Sequence, residues 1–270
     1  MDTITWSRLE RLVARVAGDD PAAFLDATTT QDLTGLTAGR SVLTCMLDEK
    51  GHVQAELRAT MLDDGTVLID AEQAAREALT GWLAKIAPLS GCEVSDESDL
   101  WTVTALFGVH EAPTGAVALA SDWGPSDLDV LHEGATAFEG AEMSAGEYEA
   151  ARIAAGRPRF GVDFDENTHI AETPLIARAV SFTKGCYPGQ ESVARVENLG
   201  RVRKRLVGLD VDGGPPEAGA SMTVEGREVG RVTSAATWDG RVVAIGSLRS
   251  EVHDGATVEA GATPATVRAL

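Results

Sequence analysis

The stretch Lys184-Gly185-Cys186-Tyr187-Pro188-Gly189-Gln190-Glu191 decides how this chain is read. Pro188-Gly189 favours a turn, because proline presets φ and glycine tolerates positive φ. Two glycines bracket Cys186, and Lys184 lies two residues before it. A thiol on such a turn is reachable, and a neighbouring ammonium favours its thiolate. Cys186 and Lys184 are therefore the candidate catalytic residues. The competing reading is a tight loop around a buried, inert cysteine.

Working outward, the 22 residues from Lys184 to Arg205 carry six basic side chains: Lys184, Arg195, Arg201, Arg203, Lys204 and Arg205. The average over the chain gives about two in such a window. The whole chain has a formal net charge of −19 and a pI near 4.6. A cationic patch on so acidic a protein suggests capture of a specific anion, and carboxylates favour arginine forks. The same charge argues against direct nucleic-acid or anionic-membrane partners. Upstream, Asp163, Asp165 and Asn167 have the opening spacing of a calcium loop. Thr168 stands where that loop needs glycine and Pro174 where it needs glutamate, so no metal site is assigned.

At every specified position the octapeptide matches K-G-C-Y-x-G-Q-E and so resembles the signature of the YgfZ-type folate-binding proteins. These are relatives of the glycine-cleavage aminomethyltransferase, or T-protein. Gly161 to Glu172 resembles the T-protein segment G-x-D-x-D-E-x-T-x-x-x-E, and Val224 to Ser234 resembles a stretch of its C-terminal barrel. The resemblance implies tetrahydrofolate, or a one-carbon derivative, as ligand. It implies a part in making or maintaining iron–sulfur proteins, with client proteins of that kind and an effect on cluster-dependent tRNA modification. It also puts Glu172, Gln190, Glu191 and Arg195 among the folate-binding residues, with Glu172 gripping the pterin N–H donors. The basic patch from Lys184 to Arg205 would then meet the glutamate tail.

One departure bears on chemistry. T-proteins carry an Asp pair after a Gly-Gly turn, and this chain reads Gly51-His52-Val53-Gln54-Ala55-Glu56. Gln54 and Ala55 occupy the equivalents, so the carboxylate is lost unless Glu56 replaces it through a register slip. An accessory factor is therefore expected first, and a folate-dependent aminomethyltransferase or demethylase of a methylamine-type substrate second. A third reading is a redox thiol protein using Cys186 without folate. Hydrolysis by a Cys186–His169 pair is a minor alternative. No nucleotide-phosphate loop and no G-x-S-x-G elbow occurs.

Length and pattern set the architecture. At 270 residues the chain should hold two or three packed units. Three scattered cysteines, Cys45, Cys92 and Cys186, match neither a disulfide framework nor a metal spacing and point to a reducing cytoplasm. No long apolar run suggests a signal peptide or a membrane span. Ile4 to Val16 has helical apolar spacing, so a helix ending at Gly18 is expected, followed by a second one capped by Asp20 with Pro21 at its start. Strands are expected at 41–47, 52–61, 66–70, 101–109, 116–120 and 128–132, and helices at 72–86 and from the Ser144/Glu147 capping box to 156. Beyond Arg205 short strands alternate with Gly, Pro and Asp-Gly turns, as in a small barrel. The fold expected is α+β, an aminomethyltransferase-like folate-binding body over 1–200 with a C-terminal β-barrel over 201–270. The five tryptophans, Trp6, Trp82, Trp101, Trp123 and Trp238, are expected in the core.

Overall fold

The expected N-terminal helix is instead two strands, β1 (Thr5–Leu9) and β2 (Arg11–Gly18). β2 lies inside its sheet and is buried on both sides, with Leu12, Ala14 and Val16 in one core and Val13 in another. A strand covered on both faces loses the alternation that marks a strand, and its near-continuous apolar run mimics a helical stripe. The computed structural model describes residues 4–120, 124–134, 138–200 and 202–270. Trp123 and Arg201 lie outside the described residues.

A helix follows at Pro21–Thr28, with the Asp20 carboxylate accepting the Ala23 amide at 3.0 Å and Pro21 in the first turn. Then come β3 (Ser41–Leu47), β4 (Val53–Met61) and β5 (Val67–Glu72). The expected helix at 72–86 is broken into a 3-10 turn (Gln73–Ala75), a π-helical stretch (Glu77–Leu83) and a last α turn (Ala84–Ile86). β6 (Cys92–Asp96) completes a sheet of order β3-β4-β5-β2-β6.

The second sheet adds β7 (Trp101–Phe107), β8 (Ala116–Ala118), β9 (Leu128–Glu133) and β10 (Ala141–Glu142), in the order β10-β1-β7-β9-β8. β1 and β2 run consecutively in sequence but belong to different sheets. Val13 and Leu68 of the first sheet pack against Val103 and Leu131 of the second. The Ser144/Glu147 capping box forms and opens the helix Ala145–Ala154. The signature runs into the helix Gln190–Leu199.

The C-terminal strands are β11 (Lys204–Val211), β12 (Ser221–Val224), β13 (Arg227–Trp238), β14 (Arg241–Arg249), β15 (Thr257–Ala260) and β16 (Thr263–Arg268). They close as a barrel in the order β11-β14-β13-β12-β15-β16, with β16 pairing back onto β11. Asp163 fastens this barrel to the body: Arg152 donates to it at 2.7 Å, and Thr233 and Ser234 of β13 donate at 2.6 Å each. Among the described residues no helix is long and apolar enough to cross a membrane.

Candidate functional site

β4 reads Val53-Gln54-Ala55-Glu56-Leu57-Arg58-Ala59-Thr60-Met61, a strict alternation that would ordinarily send the polar set to solvent. Here the polar face is buried as well: Glu56, Arg58 and Thr60 are 3%, 2% and 1% exposed. It looks onto a cavity of about 370 Å³ closed by β1, β2, the helix Ala145–Ala154 and the segment 157–162. Six arginines line it (Arg8, Arg11, Arg58, Arg152, Arg157 and Arg159) against the four carboxylates Glu10, Glu56, Glu72 and Asp129. In a chain of net charge −19 this cavity has an excess of positive side chains.

Much of that charge is internally fixed. Arg58 donates to Asp70 at 2.9 and 2.8 Å and to Asp129 at 2.5 Å. Arg11 donates to Asp70 at 2.9 Å and to Glu72 at 2.5 Å. Burial alone would raise Asp70, but the two guanidiniums more than offset it and hold it below the usual carboxylate range. Arg157 pairs with Glu56. Burial, reinforced by the charge of Asp129, pushes the Tyr148 phenol at the cavity wall up to about 12. A second space of about 760 Å³, flanked by Trp82, Gln54 and Pro188, meets the cavity at Ala74 and Phe160. Trp82 is 42% exposed there rather than in the core, because its π-helical segment turns it toward the cleft.

The signature loop displays Cys186 at the surface, while Tyr187 beside it is buried. Lys184 does not serve the thiol as expected. Its ammonium, on a side chain 1% exposed, donates to the Asp26 backbone carbonyl, to the Asp26 carboxylate at 3.0 Å, and to the Thr29 and Gln31 carbonyls at 3.0 and 2.8 Å. Its charge satisfies the end of the Pro21–Thr28 helix, so Lys184 holds the loop in place. Gly189 has φ +83°, and a Cβ there would lie 2.4 Å from the Asp48 carbonyl of the β3–β4 turn. Gly189→Ala should cost about 1–3 kcal/mol through the left-handed backbone alone, read as a lowered melting temperature. A melt unchanged from wild type would show that the turn and the signature helix do not need this contact.

The other expected ligands do not converge on the central cavity. Glu172 lines a separate cleft of about 280 Å³ between the 161–172 loop and β11 and β13, which shares only Gly161 and Val162 with the cavity. Burial raises its pKa, partly offset by Lys204 at 3.8 Å. Gln190 and Glu191 open the signature helix, half-buried and exposed respectively, and Arg195 projects to solvent one turn later. None of the three lines the cavity or the two clefts beside it. The basic patch disperses too: Lys184 is spent on backbone oxygens, Lys204 on Glu172 and Arg205 on Asp254 at 2.6 Å. His169 is turned to Ser192 at 3.4 Å, its other ring nitrogen accepts the Ala171 amide, and Ser192 donates to Lys50, so no Cys186–His169 pair forms.

Two family matches fall on this architecture. The GCVT N-terminal domain matches residues 10–113, and the CAF17 C-terminal beta-barrel domain matches residues 203–269. The chain thus joins a GCVT-like domain to a CAF17-type C-terminal barrel, and it is similar to proteins named YgfZ and IBA57. The tRNA-modifying protein YgfZ of Escherichia fergusonii is 27% identical over 268 residues, spanning 86% of this chain and 81% of that one. The mitochondrial iron–sulfur cluster assembly factor IBA57 of Mus musculus is 37% identical over 87 residues, 30% of this chain and 23% of its own length. A chloroplastic Arabidopsis thaliana protein named as a transferase is 33% identical over 144 residues, 53% of this chain, which spans only 28% of that longer protein. Aminomethyltransferase T of the glycine cleavage system from Bartonella henselae superposes with a TM-score of 0.84 at 18% identity, covering 99% of this chain and 85% of that one. The aminomethyltransferase fold expected from the sequence is therefore present.

Within this GCVT-related body the departure at the hairpin gains a geometry. Gln54 is half-buried and reaches the Glu166 carbonyl at 3.3 Å, while Ala55 is fully buried in the core. The β3–β4 ladder shifts register between Met46 and Leu47, at Gln54, and just beyond that irregularity Glu56 lines the cavity and pairs with Arg157. Sequence reading missed Arg11, Arg58, Arg152 and Arg157 as a group. The one local signal was the Glu56/Arg58 alternation within an otherwise apolar strand.

Proposed function

We propose that this protein is a tetrahydrofolate-binding accessory factor for iron–sulfur proteins, holding the ligand in the arginine-lined central cavity. The observation that carries this reading is the excess of guanidinium groups around one concave, half-open space of a strongly acidic chain. The p-aminobenzoylglutamate portion of a folate is an aromatic amide ending in two carboxylates, which suit arginine forks. Arg157 is the group placed to grip it, Tyr148 and Phe160 offer aromatic walls, and the second space beyond Phe160 leaves room for the rest of the ligand. Bound tetrahydrofolate would supply a carrier for one-carbon units, while the protein binds it, orients it and excludes water. The names of the YgfZ and IBA57 relatives support iron–sulfur proteins as clients, cluster-dependent tRNA-modifying enzymes among them, and Cys186 on its displayed loop is the group a client would meet. The cytoplasm is the compartment that fits a reduced, displayed thiol.

Calorimetric titration of the purified protein with tetrahydrofolate tests the reading. Arg157→Gln should weaken binding by roughly tenfold to a hundredfold, the loss expected for one charge-assisted contact. A wild-type protein that does not bind tetrahydrofolate would sink the proposal. The buried carboxylate of Glu56 in the cavity keeps one second reading in play, a folate-dependent transferase acting on a methylamine-type substrate. Formation of methylene-tetrahydrofolate that requires an added methylamine would favour it over the accessory role.

A further inference from the structure

We propose that Glu56 is a latch on Arg157: an anionic ligand enters the central cavity by displacing the Glu56 carboxylate from the Arg157 guanidinium. The inference rests on the folate reading above and concerns how that site is guarded.

The two side chains come from segments 101 residues apart, β4 and the chain just past the helix Ala145–Ala154, and both line the cavity. They are not equally accessible: the Glu56 side chain is 3% exposed and that of Arg157 15%. A ligand carboxylate therefore approaches the pair from the arginine side. The backbone of Arg157 cannot yield. Its amide donates to the Arg152 carbonyl at 3.1 Å, its own carbonyl accepts from the Arg152 guanidinium, and Pro158 follows. Arg152 is in turn fixed by Asp163 at 2.7 Å. What can exchange is the Glu56 carboxylate on the guanidinium.

The Arg58 cluster offers no such opening. Arg58 is 2% exposed and pinned by Asp70 from two nitrogens and by Asp129 from a third. Glu56, by contrast, sits opposite Cys45 in the β3–β4 register, beside a thiol that burial, reinforced by Glu56's charge, pushes well above its usual range. A carboxylate with a neutral thiol at its side and one guanidinium in front is held by that guanidinium. A ligand carboxylate replaces it fork for fork, with charge conserved on the arginine.

The latch sets affinity and selectivity together. Apparent affinity falls by the fraction of time the arginine is uncovered. An anion without a planar pair of oxygens competes poorly for the fork, so the latch favours carboxylate-bearing ligands over simple halides.

Calorimetry with three probes separates the parts: tetrahydrofolate, p-aminobenzoylglutamate (the tail without the pterin) and 6-methyltetrahydropterin (the ring without the tail). Glu56→Gln keeps the shape and removes the charge. It should tighten tetrahydrofolate and p-aminobenzoylglutamate by about tenfold, as expected for a site uncovered about a tenth of the time, and leave the methylpterin unchanged. Glu56→Ala, which empties the position, should give the same gain where the glutamine's own hydrogen bond to Arg157 masks it. Wild-type binding that neither variant tightens, or that both weaken, overturns the latch alone; weakening would make Glu56 a direct ligand contact. Absence of tetrahydrofolate binding in the wild type and both variants overturns the folate reading and the latch with it.

Discussion

Replacing Arg58 by alanine is expected to cost about 3–5 kcal/mol of folding stability. The side chain is 2% exposed and joins three strands: its own β4, Asp70 of β5 and Asp129 of β9. Removing it strands two carboxylates, since Asp70 is 1% exposed and Asp129 7%. Asp70 would keep Arg11 at 2.9 Å, but Asp129 would retain, among the described side chains, the Ser126 hydroxyl at 2.6 Å. Because Asp129 belongs to the second sheet, the loss falls on the contact between sheets rather than on one ladder. The pH dependence follows from Asp70, whose folded pKa is depressed. Such a group contributes stability that is present above its unfolded value, near 3.9, and is lost as pH falls through the folded one. The wild type should therefore lose this contribution at acid pH, whereas Arg58→Ala should show a flatter acid limb. Denaturant melts of both proteins from pH 3 to 7 measure it. A variant within about 1 kcal/mol of wild type at neutral pH would mean that water replaces the guanidinium at little cost.

Part of this architecture was legible before any coordinates. The hairpin around Asp48-Glu49-Lys50-Gly51 could be read because turn chemistry separates two apolar runs, and the barrel because Asp-Gly and Gly-Pro turns punctuate short strands. The capping box at Ser144/Glu147 formed as its spacing required. β16 carries Pro264 inside it, which by itself counts against a central strand. Proline is tolerated there because it lies opposite Glu259 of β15 alone, before the strand's other neighbour, β11, begins pairing at Ala265. β2 was misread because burial on both faces erased its alternation.

The site was less legible for a different reason. A run of six basic residues within 22 looked convergent, yet neighbours on a helix fan out around its axis and neighbours on a strand alternate faces. Lys184, Arg195 and Lys204 accordingly point to three different surroundings. The arginines that do converge come from β1, β2, β4 and the end of a helix, and only topology brings them together. Glu172 shows the same limit from the other side: its motif matches, but the chain turn at Gly161-Val162 stands between it and the cavity.

Lys184→Met should lower the melting temperature by about 6–12 °C, the shift that ~3 kcal/mol produces in a chain of this size. Methionine fills the volume but donates nothing to the oxygens now served: the Asp26 carboxylate and the carbonyls of Asp26, Thr29 and Gln31. Two of these carbonyls belong to the end of the Pro21–Thr28 helix, where the backbone dipole also favours a cation. Arginine should rescue little, because four oxygens around a point at 1% exposure suit a compact ammonium and not a planar fork. The loop beyond loses its anchor on one side and keeps Tyr187 on the other. Amide exchange across 180–189 should therefore rise, while the tetrahydrofolate binding proposed for the central cavity, which is built from other segments, should change by less than about threefold, under 0.7 kcal/mol. That split distinguishes an anchor from a catalytic lysine. If Lys184→Met melts like wild type and only the reactivity of Cys186 changes, the ammonium acts on the thiol after all, and the anchor it makes in this fold is incidental.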